Sequence, residues 1–190
     1  MRGMSTDTRE AIMGAARAAV QAHGYNALSF RELAKDVGVK SASVHYHFPT
    51  KGDLATALAA RYADEATAYF SELLEGDHTH EQLIGTYTAV FRAALERDNR
   101  MCLCGIMAAE ADDLPPAVRV EVDRFAEVNT SWLTKVLTRR HPRSAPDKLR
   151  AQALAIFAAM EGAQLVARGR GEIAAFDRIM EAYEAAGLFS

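Results

Sequence analysis

One short stretch, LSFRELAKDVGVKSASVHYHFPTK at residues 28–51, gathers side chains suited to gripping a polyanion and reading hydrogen-bonding edges. Ser41, Ser43 and His45 are small or aromatic hydrogen-bonding groups of a size that reaches base edges. Tyr46, His47, Lys51 and Ser29 can hold phosphate oxygens, and Arg31 can serve either purpose. An ordinary solvated helix face would carry a Glu/Lys mixture instead. The chemistry implied is non-covalent recognition of DNA: phosphate contacts to position the protein and base contacts to specify the site.

The elements that must present these groups are legible around them. Ser29 is a good N-cap, Glu32 completes a Ser-x-x-Glu capping box, and Leu28 and Leu33 stand where a hydrophobic staple falls. The helix so begun ends at Gly38, a residue at ease with positive φ. A second helix starts near Ser41 and must end by Phe48, because Pro49 disfavours helical geometry in the residue before it. Thr50 then caps a third, with Asp53 offsetting the macrodipole and Lys51 beside unsatisfied N–H donors. Helix, glycine turn and short helix make a helix-turn-helix. Capping signals alone fit equally an αα-corner without a DNA role.

The sequence GVKSASVHYHFPTKGDL resembles the signature of the TetR (tetracycline-repressor/AcrR-like) family of bacterial transcriptional regulators. The resemblance extends from about Thr8 to Leu58. It takes in the Ile12/Ala16/Val20 helix, the His23-Gly24-Tyr25 turn, Ser29 to Ala34, Gly38-Val39, and Tyr46-His47-Phe48 with Thr50-Lys51. Where many members carry tyrosine in the recognition helix this chain has His45 with Tyr46 beside it, so either aromatic is a candidate for the backbone contact. The resemblance implies a DNA-binding domain at residues 6–53 and a ligand-binding and dimerisation domain at 54–190.

Composition agrees with a globular helical protein. Of the 190 residues, 49% are hydrophobic and 25% charged, with five prolines. No apolar run approaches the ~20 residues that span a bilayer, and the N-terminus lacks a signal-peptide core, so a cytoplasmic protein with no membrane partner is expected. The net charge is −3, yet residues 1–51 hold seven Lys/Arg against four acids and are net +3, leaving −6 for the rest. A basic head on an acidic body fits local DNA contact and excludes a protein that coats nucleic acid over its whole surface.

The periodicity predicts an all-α chain of about nine helices and no strand. A first helix is expected from Asp7, a possible cap, to about His23. A long amphipathic helix should follow from Lys51 to about Glu75, and Thr79-x-x-Gln82 should box the next. Residues 100–112 read as a short helix, Ser144 with Pro146 and Asp147 as the start of another, and Glu172 as the start of the last. The run AQALAIFAAMEGAQLV at residues 151–166 is apolar on most faces and must be buried on most faces. The resemblance implies that the last two helices form a four-helix interface with a second chain, with Leu154, Ala155, Ala158, Gly162 and Leu165 in it. A buried helix in a monomer is the alternative. It also implies a pocket for a small-molecule effector among Tyr62, Phe91, Met101, Cys104, Met107, Trp132, Phe157 and Met160, although such stripes are more often plain core. Two recognition helices would meet double-stranded operator DNA about one turn apart, and release by an apolar effector would make the protein a repressor.

Cys102 and Cys104 are too few for a disulfide framework, and two residues apart on a helix they point away from each other. Burial in the core is the simpler reading, with a thiol- or metal-responsive regulator as the alternative function. His78 and His80 among acids read as polar surface rather than a metal site, and His45-x-His47 faces apart. There is no Gly-rich phosphate loop, nucleophile elbow or His-Glu-x-x-His, so neither an enzyme, a cofactor nor a metal is expected.

Overall fold

The computed structural model describes the backbone of residues 2–190 and the side chains of residues 7–190. Among the described residues there is no strand. The helices are α1 (Arg2–His23), α2 (Phe30–Val37), α3 (Ser41–His47), α4 (Lys51–Glu75), α5 (His80–Glu96), α6 (Leu103–Ala108), α7 (Pro116–Arg140), α8 (Pro146–Arg170) and α9 (Ile173–Ala185), with a 3-10 turn at Ala111–Asp113. The all-α, nine-helix expectation holds for these residues.

Several boundaries differ from the sequence reading, each for a physical reason. Asp7, expected as a cap, lies inside α1, because nothing in the preceding residues breaks a helix. Residues 100–112 do not form one helix. The Arg100 N–H bonds back to the Ala94 carbonyl at the end of α5 and the Cys102 N–H bonds the Gln164 side chain of α8, so these donors are satisfied outside a new helix, which begins only at Leu103. Upstream, Asp98 and Asn99 both take positive φ, a conformation that short polar side chains tolerate. Ser144 does not cap α8; Ala145 holds the N-cap position ahead of Pro146 with no side-chain bond. The Thr79/Gln82 capping box on α5 is formed in both directions.

The chain packs as two compact units, residues 1–63 with 103–123, and residues 64–102 with 124–190. In the first, α1 buries Ile12, Ala16 and Val20, four residues apart on one stripe, while Leu33 and Ala34 of α2, Val44 of α3 and Leu54 and Leu58 of α4 complete an aliphatic core. Each large aliphatic side chain removed from water contributes about 1.5–3 kcal/mol. Phe48 closes α3 from below, with the Arg9 guanidinium 5.0 Å from its ring centroid. Leu103 and Met107 of α6 and Val118 of α7 are also buried.

The second unit has an aromatic centre. Trp132 of α7 stacks on Phe70 of α4 at 4.9 Å and on Tyr87 of α5 at 5.3 Å, and its indole N–H donates to the Phe70 carbonyl at 2.8 Å. Two sets of buried polar groups are paired across elements. The Tyr87 hydroxyl donates to Asn129, whose amide donates to the Phe125 carbonyl. Gln164 of α8 accepts from the Cys102 N–H at 2.6 Å and donates to the Phe91 carbonyl at 2.7 Å. These bonds fix α8 against α5, while α9 packs on α8 through Ala175, Phe176 and Met180.

Candidate nucleic-acid interface

The local sequence sets the angle between α2 and α3. Gly38 ends α2 at φ 75° and ψ 30°, its N–H and that of Val39 returning to the Lys35 and Ala34 carbonyls. A residue with a Cβ is strained there, so the tight turn rests on glycine. α3 runs for two turns and stops at Phe48, which is extended ahead of Pro49. The Thr50/Asp53 pair then forms a reciprocal box: the Asp53 N–H donates to the Thr50 hydroxyl oxygen at 3.1 Å, and the Thr50 N–H donates to the Asp53 carboxylate at 2.9 Å. Only Val44 of α3 is buried, so the remaining face of this helix is open.

That face carries the expected side chains in different states. Ser41 is exposed and Ser43 half-buried. Tyr46 is 80% exposed, with only an edge contact to His47 at 5.2 Å. His45 is exposed but folded back, edge-on to Phe30 at 4.8 Å and with Nδ1 3.4 Å from the Pro49 carbonyl. Of the two neighbouring aromatics, Tyr46 is therefore the one that projects. The Arg31 side chain is 88% exposed and rests on Glu32 at 3.2 Å. Ser29 occupies the N-cap of α2, but its side chain accepts no cap bond, and Glu32 turns to Arg31 rather than closing the expected box.

Lys51 is half-buried and engaged within its own unit. Its ammonium lies 4.2 Å from the Tyr25 ring centroid and donates to the Asn26 carbonyl at 3.2 Å. Burial lowers its pKa, and the nearby carboxylates of Glu110 and Asp113 oppose that shift. Those two acids were not anticipated from the sequence. Glu110 accepts from the backbone N–H groups of Tyr25 and Asn26, and Asp113 accepts from the Asn26 side chain at 2.6 Å. The turn between α1 and α2 is thus gripped by residues more than eighty positions later, a pairing that local pattern cannot reveal. Burial, reinforced by Asp113, raises the Tyr25 pKa.

The other expected residues are distributed over both units. Tyr62 is half-buried beneath the Arg17 guanidinium, 4.8 Å from its ring centroid, and Cys104 and Met107 are buried on α6. In the second unit Met101, Phe91, Trp132 and Met160 are buried, and Phe157 is half-buried. Tyr87, absent from the sequence-based set, joins two of these, touching Trp132 at 5.3 Å and Phe91 at 5.2 Å, and Phe91 in turn reaches Phe157 at 6.5 Å. Neither cysteine forms a disulfide, and both are buried. Cys102 precedes α6, so helical spacing does not govern the pair. Among the described residues no three His, Cys, Asp or Glu side chains converge to hold a metal ion, and no helix is long and apolar enough to cross a membrane. On α8, Leu154, Ala155, Ala158, Gly162 and Leu165 are all exposed, the two leucines at 55% each, with Val166 beside them at 48%.

Residues 12–58 match the family described as bacterial regulatory proteins, tetR family. The HTH-type transcriptional regulator UidR of Escherichia coli strain K12 is 26% identical over 97 residues, and the chain spans about half the length of the curated relatives it matches. Among solved structures, a TetR transcriptional regulator from Legionella pneumophila superposes with a TM-score of 0.87 at 28% identity, covering 93% of this chain and 95% of that one. A TetR-family regulator from Agrobacterium tumefaciens gives 0.86 at 29% identity, covering 94% and 96%. The family is one of regulatory DNA-binding proteins rather than enzymes.

Proposed function

The chain belongs to the TetR family of bacterial regulatory proteins, and from that premise we propose that it is a homodimeric, ligand-responsive transcriptional regulator. It acts in the cytoplasm as a repressor, released from a palindromic operator by a small, largely apolar effector. The observation that carries this reading is the open face of α3, where Tyr46 projects at 80% exposure beside Ser41 and Ser43 while only Val44 anchors the helix. An exposed tyrosine on a short helix has no core to serve, and it suits contact with a groove wall.

Residues 6–53 form the DNA-binding part in this reading and residues 54–190 the ligand-binding and dimerising part. Ser41, Ser43 and His45 read base edges. Tyr46, His47, Lys51 and Ser29 hold phosphates, and Arg31 does either. Supporting the dimer is the apolar stripe of Leu154, Ala155, Ala158, Gly162, Leu165 and Val166, exposed along α8. A Cβ added to Gly162 would meet nothing within 4 Å in its own chain, so this position is open space. Two-fold pairing along this stripe sets two recognition helices about 34–36 Å apart, one turn of DNA.

Effector binding in the 54–190 part shifts the dimer between states of different operator affinity, with α4 as the continuous element that carries the change. Equal effector affinity for free and operator-bound dimer would rule this coupling out. The direct test is to incubate purified protein with fragmented DNA from its source genome at physiological salt and sequence what is retained. Recovery of a few palindromic sites sharing a half-site spacing of one turn is expected. Weak retention with no shared sequence would overturn the reading.

A further inference from the structure

A groove of 210 Å³ lies between α4 and α7 within the second unit, with Phe70 and Leu74 on one wall and Val128 and Trp132 on the other. Each pair is four residues apart, the helical spacing that puts two side chains on one face. Of the residues expected around an effector, the groove takes in Trp132. Its volume falls below the roughly 300 Å³ at which drug-sized pockets begin, so it suits a compact ligand.

Charge on the rim decides what kind. Arg124, Glu127 and Lys135 line the groove. Arg124 is paired with Asp64 at 2.8 Å. Glu127 accepts from Arg150 at 3.1 Å and 2.6 Å and from the Ser131 hydroxyl at 2.7 Å. Lys135, one turn beyond Ser131, is exposed and has neither a hydrogen bond nor an ion pair among the described residues. Arg139, a further turn on, meets no carboxylate either and donates to the Leu74 carbonyl at 2.6 Å. On α4, the exposed Ser71 hydroxyl also lines the groove without a bond. An unpaired lysine is ordinary on a surface, but this one borders an apolar cleft that faces a free hydroxyl donor from another helix. The groove between α5 and α9 has the opposite character, with Glu81, Glu181 and Glu184 on its rim, and touches no residue of α4.

We propose that the α4–α7 groove is the effector site and that the effector is a small organic acid, a compact apolar body carrying one carboxylate. The body lies on Phe70, Leu74, Val128 and Trp132, and the carboxylate accepts from the Lys135 ammonium and the Ser71 hydroxyl. A ligand held in this way ties α7 to α4, the helix that begins at Lys51, and so favours one arrangement of the two over others. This rests on the effector-responsive reading above and names its ligand class. An alcohol of the same shape lacks the charge, and an amine meets Lys135 as a like charge.

Trp132 is the single tryptophan and forms part of the wall, so its emission reports occupancy of the groove. The intact chain is titrated with phenylpropanoate, phenylpropanol and phenylpropylamine, which share a skeleton and differ in charge. The acid is expected to bind at least about fivefold more tightly than the alcohol, and more tightly still than the amine. One charge-assisted bond sets that scale, and solvent at the rim reduces it. In Lys135→Met the acid should bind no more tightly than the alcohol. Lys135 is exposed, so this variant keeps the fold, and its emission before titration should match the parent's. No emission change with the acid, equal affinity for acid and alcohol, tightest binding of the amine, or a preference that survives in Lys135→Met would overturn the inference. Retention of DNA from the source genome is measured on the same preparation. Specific retention without the preference for the acid defeats this inference alone, whereas absence of specific retention defeats the regulator reading whatever the probes do.

Discussion

Lys51, proposed to hold a phosphate, is also engaged in its own fold. Lys51→Ala is expected to weaken specific and nonspecific DNA binding together and to lower the salt slope by roughly one unit, measured by titration across ionic strengths. Unchanged affinity and slope would defeat the phosphate assignment. Because its ammonium also caps the Tyr25 ring and the Asn26 carbonyl, the same variant should lose a little thermal stability. Ser43→Ala should instead change the preferred operator sequence and leave the slope alone. Glu161 makes a prediction of another sort. Burial pushes its folded pKa up to about 7 from the ordinary 4.5, so the folded state binds the proton more tightly than the unfolded chain. Its stabilising effect is full below the unfolded value and is lost as pH rises toward 7, with Cys102 and Tyr87 the titratable groups beside it. The gap corresponds to roughly 3 kcal/mol at most. Glu161→Gln should melt several degrees above the parent near pH 8 and close to it near pH 4.5. Parallel melting curves across that range would contradict the burial argument. Glu161 is the one acid in AQALAIFAAMEGAQLV, and its burial is not readable there, since the groups that cover it are contributed by other helices.

At the scale of elements, the turn between α2 and α3 is the position with least freedom. Gly38→Ala places a Cβ on backbone at φ 75°, and because no atom lies within 4 Å of that Cβ the cost is conformational alone, about 1 kcal/mol. Denaturant unfolding should show that loss, and operator affinity should fall with it as the helix-turn-helix angle relaxes; an unchanged unfolding midpoint would show that the turn is not held by this residue. Gly38, Pro49 and the Thr50 cap were readable because local chemistry determines them, while the return bond from Asp53 to the Thr50 N–H was not read. The start of α1, the non-helical residues before α6 and the uncapped start of α8 were not. At Cys102 the deciding donor–acceptor pair involves Gln164, sixty-two positions away, and no window of neighbouring residues contains that information. Ser29 illustrates the converse: the right residue stands at the cap, yet Glu32 finds Arg31 a better partner than the backbone.

For the molecule as a whole, the exposed stripe on α8 predicts the assembly state. Leu154→Glu combined with Leu165→Glu should leave the protomer folded, since both side chains are already more than half exposed, and should convert a dimer to a monomer by sedimentation. Operator affinity should fall steeply because each half-site is then bound alone. A double variant that remains dimeric would place the interface elsewhere. The grip of Glu110 and Asp113 on the backbone after α1 has a consequence for modularity. The compact unit that contains the helix-turn-helix is assembled from two separated stretches of chain, 1–63 and 103–123. A gene fusion that grafts the first sixty or so residues onto another protein would transplant a head without its keystone. Such a chimaera would need the second stretch supplied as well, from the donor or from a host helix bearing two acids at the same place, before it could be expected to recognise its operator.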